Sequence, residues 1–166
     1  MKTTTQKIVI SSLIAALACV ATMIIKIPSP LKGYVNLGDC VVLLAGCVLP
    51  VQYGFLAAGI GSALADVLSG YFTYAPATFI IKGVMALIMY FGYKFLSKKT
   101  GIVPSAIISG IVSEIVMISG YFVFEGFLYG FGASLVNIPA NAVQGVAGII
   151  MGTILISIFE KNKILK

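Results

Sequence analysis

The polar residues of this chain fall in short clusters between long apolar runs. The apolar segments cover approximately residues 8–25, 37–49, 51–69, 75–96, 102–124 and 136–159. A helix that crosses a bilayer takes about 20 apolar residues, and most of these runs approach that length. The second is short, and only Leu49-Pro50-Val51 parts it from the third. Pro50 ends one helix there and turns the chain into another. The stretch Lys26–Asn36 holds Pro28, Pro30 and Gly33, residues of turns and extended chain. Gly70-Tyr71-Phe72-Thr73-Tyr74 predicts another break, followed by Pro76 in the first turn of the fourth helix. Lys94, Lys98, Lys99 and Gly101 close that helix, and Gly126–Ser134 reads as a loop rich in glycine and aromatics. Pro139 lies near the start of the last helix. The pattern predicts an all-α integral membrane protein, a compact bundle of six transmembrane helices in a single domain over residues 1–166.

Composition narrows this further. Of the 166 residues 60% are hydrophobic and 10% charged, against roughly 25% charged in soluble domains. Six spans use about 120 residues and leave roughly 46 for termini and loops. No soluble catalytic or nucleotide-binding domain fits in that remainder. The run from Ile8 to Ile25 is longer than the core of a signal peptide and lacks a clear cleavage site, so it reads as a retained first helix.

The net charge of +6 comes from eleven lysines against five acids; Arg, His and Trp are absent. In a membrane chain such lysines set orientation and do not point to nucleic acid. With six spans, Lys2, Lys7, Lys94, Lys98, Lys99, Lys161, Lys163 and Lys166 fall on one side, and Lys26 and Lys32 on the other. That bias predicts a multi-pass protein of a bacterial or archaeal cell membrane with both termini cytoplasmic. Cys19, Cys40 and Cys47 lack metal or redox spacing and read as small packing residues.

Small residues recur at helix-packing spacing. Ser11, Ala15 and Cys19 form one series on the first helix, and Ser12 and Ala16 form its neighbour. Ala57 with Gly61, Ala65 with Ser69, and Gly148 with Gly152 repeat the theme. Most such surfaces pack inside a bundle; the first helix is the one whose stripe is available to a partner protein.

Ionisable groups within spans are costly, so they are functional candidates by default. They are Asp39, Asp66, Lys82 and Glu114, with Glu125 at a helix end. At 100° per residue, Asn137, Asn141 and Gln144 share one stripe, continued by Gly148. Gly110, Glu114, Tyr121 and Glu125 share a face of the fifth helix. The fourth, fifth and sixth helices are thereby expected to wall a pocket in the outer half of the bilayer, suited to a small polar or heteroaromatic solute. Plainer readings stand beside this one. Lys82 and Glu114 can form a structural pair, and the amides can be interhelical glue. Asp39 is placed to cap the second helix, and Asp66 is open between a structural and a binding role. Tyr71, Tyr74, Tyr121 and Tyr129 suit an interfacial belt, with one or two free to stack on a ligand. No nucleotide loop, metal cluster or nucleophile–base pair is present, which argues against an enzyme and against a cofactor held by this chain.

Three blocks carry a family likeness. The first is Gly33-Tyr34-Val35-Asn36-Leu37-Gly38-Asp39. The second runs from Gly59 through Asp66, Ser69-Gly70-Tyr71 and Tyr74-Ala75-Pro76-Ala77-Thr78 to Ile81-Lys82-Gly83. The third is Asn137-Ile138-Pro139-Ala140-Asn141 with Gln144-Gly145. In that order they resemble the substrate-binding S component of an energy-coupling factor (ECF) vitamin transporter, in the family named after its riboflavin-transporting members. The resemblance implies a capture subunit of an ECF-type ABC importer. Such a subunit binds a vitamin or vitamin precursor from outside and works with a membrane scaffold and two cytoplasmic ATPases. It implies a lid at Lys26–Asn36 and a binding site drawn from Asn36, Tyr74, Lys82, Glu114, Tyr121, Asn137, Asn141 and Gln144. It also implies a docking face at Ser11, Ser12, Ala15, Ala16 and Cys19, although a strict AxxxA is missing. Without Trp, riboflavin loses a common stacking partner, and a pyridoxine-like or pyrimidine-like precursor suits the same polar set. The alternative is a stand-alone secondary transporter coupled to protons through Glu114.

Overall fold

The structure is a computed structural model and describes residues 3–29 and 34–162. The elements are α1 (Thr4–Ile24), β1 (Lys26–Pro28), β2 (Tyr34–Asn36), α2 (Gly38–Val48), α3 (Val51–Leu68), α4 (Ala75–Thr100), α5 (Ile102–Tyr129), the one-turn α6 (Phe131–Ser134), a 3-10 turn (Leu135–Asn137) and α7 (Ile138–Lys161). Lys2, Pro30, Lys32, Gly33, Lys163 and Lys166, which entered the orientation and lid readings, lie outside the described residues.

Each break has a local cause. Thr3 caps α1 through a capping box with Gln6. Pro50 stands at the N-cap of α3, directly after α2. Gly70, Gly101 and Gly130 adopt positive φ and end α3, α4 and α5 where a side chain would be strained. The expected loop over Gly126–Ser134 is instead mostly helical. The α5 helix runs to Tyr129, breaks at Gly130, and resumes in α6. The Phe131 ring folds back onto Gly126, so a side chain there would collide with it. The expected irregular stretch after α1 contains a short antiparallel hairpin, with Lys26 opposite Asn36 and Pro28 opposite Tyr34.

Five helical stretches among the described residues are long and apolar enough to cross a membrane: α1, α3, α4, α5 and Phe131–Lys161. The α2 helix, with 11 residues, is about 16 Å long and too short to span alone. It is held inside the protein, with every residue from Gly38 to Gly46 buried. Helices α1, α3, α4 and α7 surround it, and α5 packs on α4 and α7.

The polarity runs opposite to that of a soluble protein. Leu13, Leu17, Phe91, Ile115, Val143, Ile150 and Ile154 are exposed, whereas Asp39, Asp66, Lys82, Glu114 and Glu125 are buried. Lipid tails are as apolar as Leu, so apolar side chains gain little by moving inward; close packing and satisfied polar groups hold the helices together. Small residues set the closest approaches. A Cβ at Gly46 of α2 would press on the Ala86 carbonyl of α4 and lie 2.8 Å from the Met89 Cβ. Gly46→Ala is therefore expected to lower stability by about 1–3 kcal/mol. The check is thermal unfolding in detergent micelles; an unchanged midpoint would mean that α2 and α4 separate freely.

Candidate substrate-binding site

Where the hairpin meets the helix ends, the side chains enclose a small cavity. Tyr34 and Asn36 come from β2, Asp66 from the last turn of α3, and Tyr71 and Tyr74 from the α3–α4 turn. Thr78 comes from α4, Tyr121 and Glu125 from α5, and Asn141 and Gln144 from α7. The space left open is about 30 Å³, room for a few waters at most. Pockets for small organic ligands run to about 300–1,000 Å³. The site is thus closed, and a vitamin-sized ligand requires its walls to part.

A chain of polar contacts ties the hairpin to the middle of the bundle. The Asn36 amide N–H donates to Gln144 Oε1 at 2.9 Å, and Asn36 Nδ2 approaches the same oxygen at 3.3 Å. Gln144 Nε2 donates to Asp39 Oδ2 at 2.7 Å. Asp39 Oδ1 is ion-paired with Lys82 Nζ, both side chains almost wholly buried. The ammonium also lies 5.5 Å from the centre of the Tyr121 ring, within cation–π range.

Two expectations are corrected here. Asp39 does not cap α2: the N-cap is Leu37, with no side-chain cap bond, and the Asn36 carboxamide accepts the Gly38 N–H instead. Nor does Lys82 pair with Glu114. Asp39, one residue into α2, projects across to α4 and takes the ammonium first. Glu114 lies next to this pair, and neither of its oxygens has a hydrogen-bond partner among the described residues. Gly145 and Gly148 of α7 make room for it. A Cβ at Gly148 would sit 2.9 Å from both Glu114 Oε1 and the Asp39 Cβ.

The end of the bundle nearest the hairpin holds a second network. Tyr34 Oη donates to Asp66 Oδ1 at 2.6 Å. Burial, and after it the field of the Asp66 carboxylate, pushes the Tyr34 phenol well above its ordinary range, so it remains a donor. Glu125 Oε1 accepts from Asn137 Nδ2 at 2.8 Å and from Tyr74 Oη at 3.4 Å. The Thr78 and Tyr121 hydroxyls meet at 3.0 Å. Tyr34 and Tyr71 lie 4.8 Å apart, and Tyr71 and Tyr74 6.3 Å.

The cavity wall thus includes Asn36, Tyr74, Tyr121, Asn141 and Gln144 from the sequence-predicted set. Lys82 and Glu114 lie behind it, and Asn137 stands behind Glu125. Ser29, Tyr34 and Thr78 join the wall without having been singled out as ligand residues, and Tyr71, Glu125 and Asp66, named only as open candidates, join it too. The cost of intramembrane carboxylates was a signal for Asp66 and Glu125. Nothing local marks Tyr34, because only the hairpin carries it over α3.

The small-residue faces of α1 divide. Ser11 and Cys19 are buried, and Ala15 turns toward α3, where a Cβ on Gly61 would strike its carbonyl. Ser12 and Ala16 are exposed. All five border an outward groove of about 600 Å³ between α1 and α3, floored by Tyr53, Leu56 and Ala57.

A family model described as "ECF-type riboflavin transporter, S component" matches residues 2–161. A Pyrococcus woesei protein described as an uncharacterized protein in a gap 3′ region is 37% identical over 134 residues, covering 80% of this chain and 87% of its own. The thiamine precursor transporter HmpT of Lactococcus lactis is 24% identical over 139 residues, covering 84% of this chain and 77% of its own. Among solved structures, the S component for biotin from an ECF-type ABC transporter superposes with a TM-score of 0.59 at 20% identity, over 93% of this chain and 94% of that one. That last likeness is one of fold.

The ion pair yields a test. Lys82→Met strands a buried Asp39 charge and is expected to cost about 3–5 kcal/mol. Adding Asp39→Asn removes the charge and keeps an acceptor for Gln144, so the double variant should regain at least half of the lost stability. Equal unfolding midpoints for the single and double variants would show that the stranded charge is not the cause.

Proposed function

This chain belongs to the ECF-type riboflavin transporter S-component family, and from that premise we propose how its parts divide the work. The protein is a multi-pass membrane subunit that captures a vitamin or vitamin precursor for an ECF-type ABC importer. Capture uses the closed cavity under the β1–β2 hairpin, and ATP hydrolysis belongs to partner chains. The observation that carries this is the link from hairpin to interior. Asn36, at the root of the hairpin, is bonded to Gln144, which is bonded to the Asp39–Lys82 pair. A ligand that displaces Asn36 or Gln144 from this chain of contacts therefore couples its binding to the position of the hairpin.

The residues proposed to meet the ligand are Asn36, Tyr74, Tyr121, Asn141 and Gln144. Lys82, Glu114 and Asn137 hold or adjust them from behind. The lysine bias supports placing both termini in the cytoplasm and the hairpin outside. The groove between α1 and α3 is proposed as the seat of the scaffold subunit, with two ATPases beyond it; Ser12 and Ala16 present its exposed face. Riboflavin transport in the family's description and thiamine-precursor transport by the Lactococcus lactis relative support a water-soluble vitamin or its heteroaromatic precursor as cargo.

Two measurements test this reading. Co-expressed scaffold and ATPases should co-purify with the chain, and reconstituted uptake should require them and ATP. Uptake without partners that collapses with the proton gradient would favour a stand-alone transporter using Glu114. The groove gives a finer test. Ala16→Trp fills its open face and should abolish scaffold association and transport, while ligand affinity of the isolated protein changes less than about threefold. Ala15→Trp drives into α3 and should lower the unfolding midpoint and reduce binding as well. The same outcome for both variants would place the docking surface elsewhere.

A further inference from the structure

The closed cavity has a neighbour. A second pocket, of about 340 Å³, opens at the protein's surface and is lined by Gly70, Tyr71, Thr73, Tyr74 and Tyr129. Tyr71 and Tyr74 line both spaces, so their rings are the partition between them. The inner space of about 30 Å³ is far too small for an organic ligand, and the outer one just reaches the range of about 300–1,000 Å³ that such pockets occupy. Parting the two rings joins them into one.

The partition is lightly held. The buried Tyr74 sets its hydroxyl 3.4 Å from Glu125 Oε1, at the long limit of a hydrogen bond, and beside Tyr129. Glu125 Oε1 has its closer donor in Asn137 Nδ2 at 2.8 Å, so withdrawing Tyr74 does not strand that oxygen. The Tyr74 ring otherwise meets Tyr71 and Phe124 edge-on, at 6.3 and 5.3 Å between centres. A turned ring also has somewhere to go. Gly70 borders the surface pocket, and a Cβ there would meet nothing within 4 Å. The hairpin is fastened more firmly. Lys26 Nζ donates to Ser69 Oγ at 2.8 Å, Tyr34 Oη to Asp66 Oδ1 at 2.6 Å, and the Asn36 N–H to Gln144 Oε1 at 2.9 Å. Raising it breaks all three contacts and takes a donor from the buried Asp66 carboxylate, a loss that is costly inside a protein. Turning Tyr74 breaks one long contact.

We propose that the surface pocket is the entry site of the cavity, with Tyr74 and Tyr71 as its gate. The ligand passes between the α3–α4 turn and the end of α5, and the hairpin stays seated while it does. This rests on the capture function above and specifies its route.

The test needs no ligand. Asn141→Cys places a thiol on the cavity wall, and the full chain in nanodiscs is treated with 2-aminoethyl methanethiosulfonate. Modification at residue 141 is timed by peptide mass spectrometry, which keeps it apart from Cys19, Cys40 and Cys47. Its rate follows the fraction of molecules in which the cavity is open. Thr73→Trp fills the surface pocket and should slow labelling at least about tenfold, whereas Tyr74→Ala removes the gate and should speed it at least about tenfold. Lys26→Met unties the hairpin from Ser69 and should change the rate less than about threefold. A poorly folded variant labels faster, so slowing by Thr73→Trp does not come from misfolding. Slowing of less than about tenfold by Thr73→Trp would overturn the proposal. So would a Lys26→Met variant that labels as fast as Tyr74→Ala, which would make the hairpin the entrance. Either result in a chain that still co-purifies with scaffold and ATPases leaves the capture function standing and only the route wrong. Gating as expected in a chain that does not co-purify would keep the gate and remove the capture function on which its use rests.

Discussion

A buried ammonium in a bilayer-spanning protein must meet an opposite charge, and among the described residues that need is met between Lys82 of α4 and Asp39 of α2. Much of the arrangement depends on it. The pair joins the short central helix to α4, and Gln144 extends it to α7. Each carboxylate oxygen of Asp39 then has a donor, which is the condition under which a buried ion pair is tolerable at all. The α2 helix is too short to span, and its first-turn acid explains why it sits inside the bundle with its start near the hairpin. Gly148 allows α7 to come close enough for the contact.

The same pair connects the interior to the hairpin. Gln144 presents its amide nitrogen to Asp39 and its oxygen to Asn36, so one side chain reads both the interior charge and the hairpin. A carboxamide suits this position because it donates from one end and accepts at the other. Movement of the hairpin breaks contacts that end on the ion pair, and the ion pair is fixed by burial. The compliant side of the site is therefore the hairpin and the tyrosines, and the rigid side is α2, α4 and α7.

The two surfaces proposed for capture and for docking differ in chemistry. The cavity is lined by hydroxyls, amides and carboxyls. The groove on α1 and α3 is lined mainly by small and aliphatic side chains and faces outward. The two-sided character of α1 makes this possible. One small-residue series brings it against α3, and the neighbouring series, one residue on, stays free. A 100° rotation per residue is enough to turn one face of the helix into the bundle and leave the next one outside it.

The sequence by itself determined the membrane class, the helical segments, most of the breaks and the small set of polar groups available for chemistry; six spans were expected, and α2 is too short to be one. Those features are local. Apolar length fixes what can span, Pro50 and the glycines at 70 and 101 fix where helices stop, and an intramembrane charge stands out wherever it lies. Family membership was also legible, because its blocks are contiguous. What only the tertiary structure decided is which polar groups meet. It paired Lys82 with Asp39 and not with Glu114, set Asp39 to bridging and not capping, and continued helix through Gly126–Tyr129 because Phe131 packs back on it. It also brought Tyr34 to Asp66 across 32 residues of chain. The physical reason is that the periodic signal of a soluble helix fails in lipid. Inside and outside are both apolar, so hydrophobicity does not fix a helix's rotation or its neighbours. Those follow from close packing at small residues and from the need to satisfy each buried charge, and both are settled only when the helices are together.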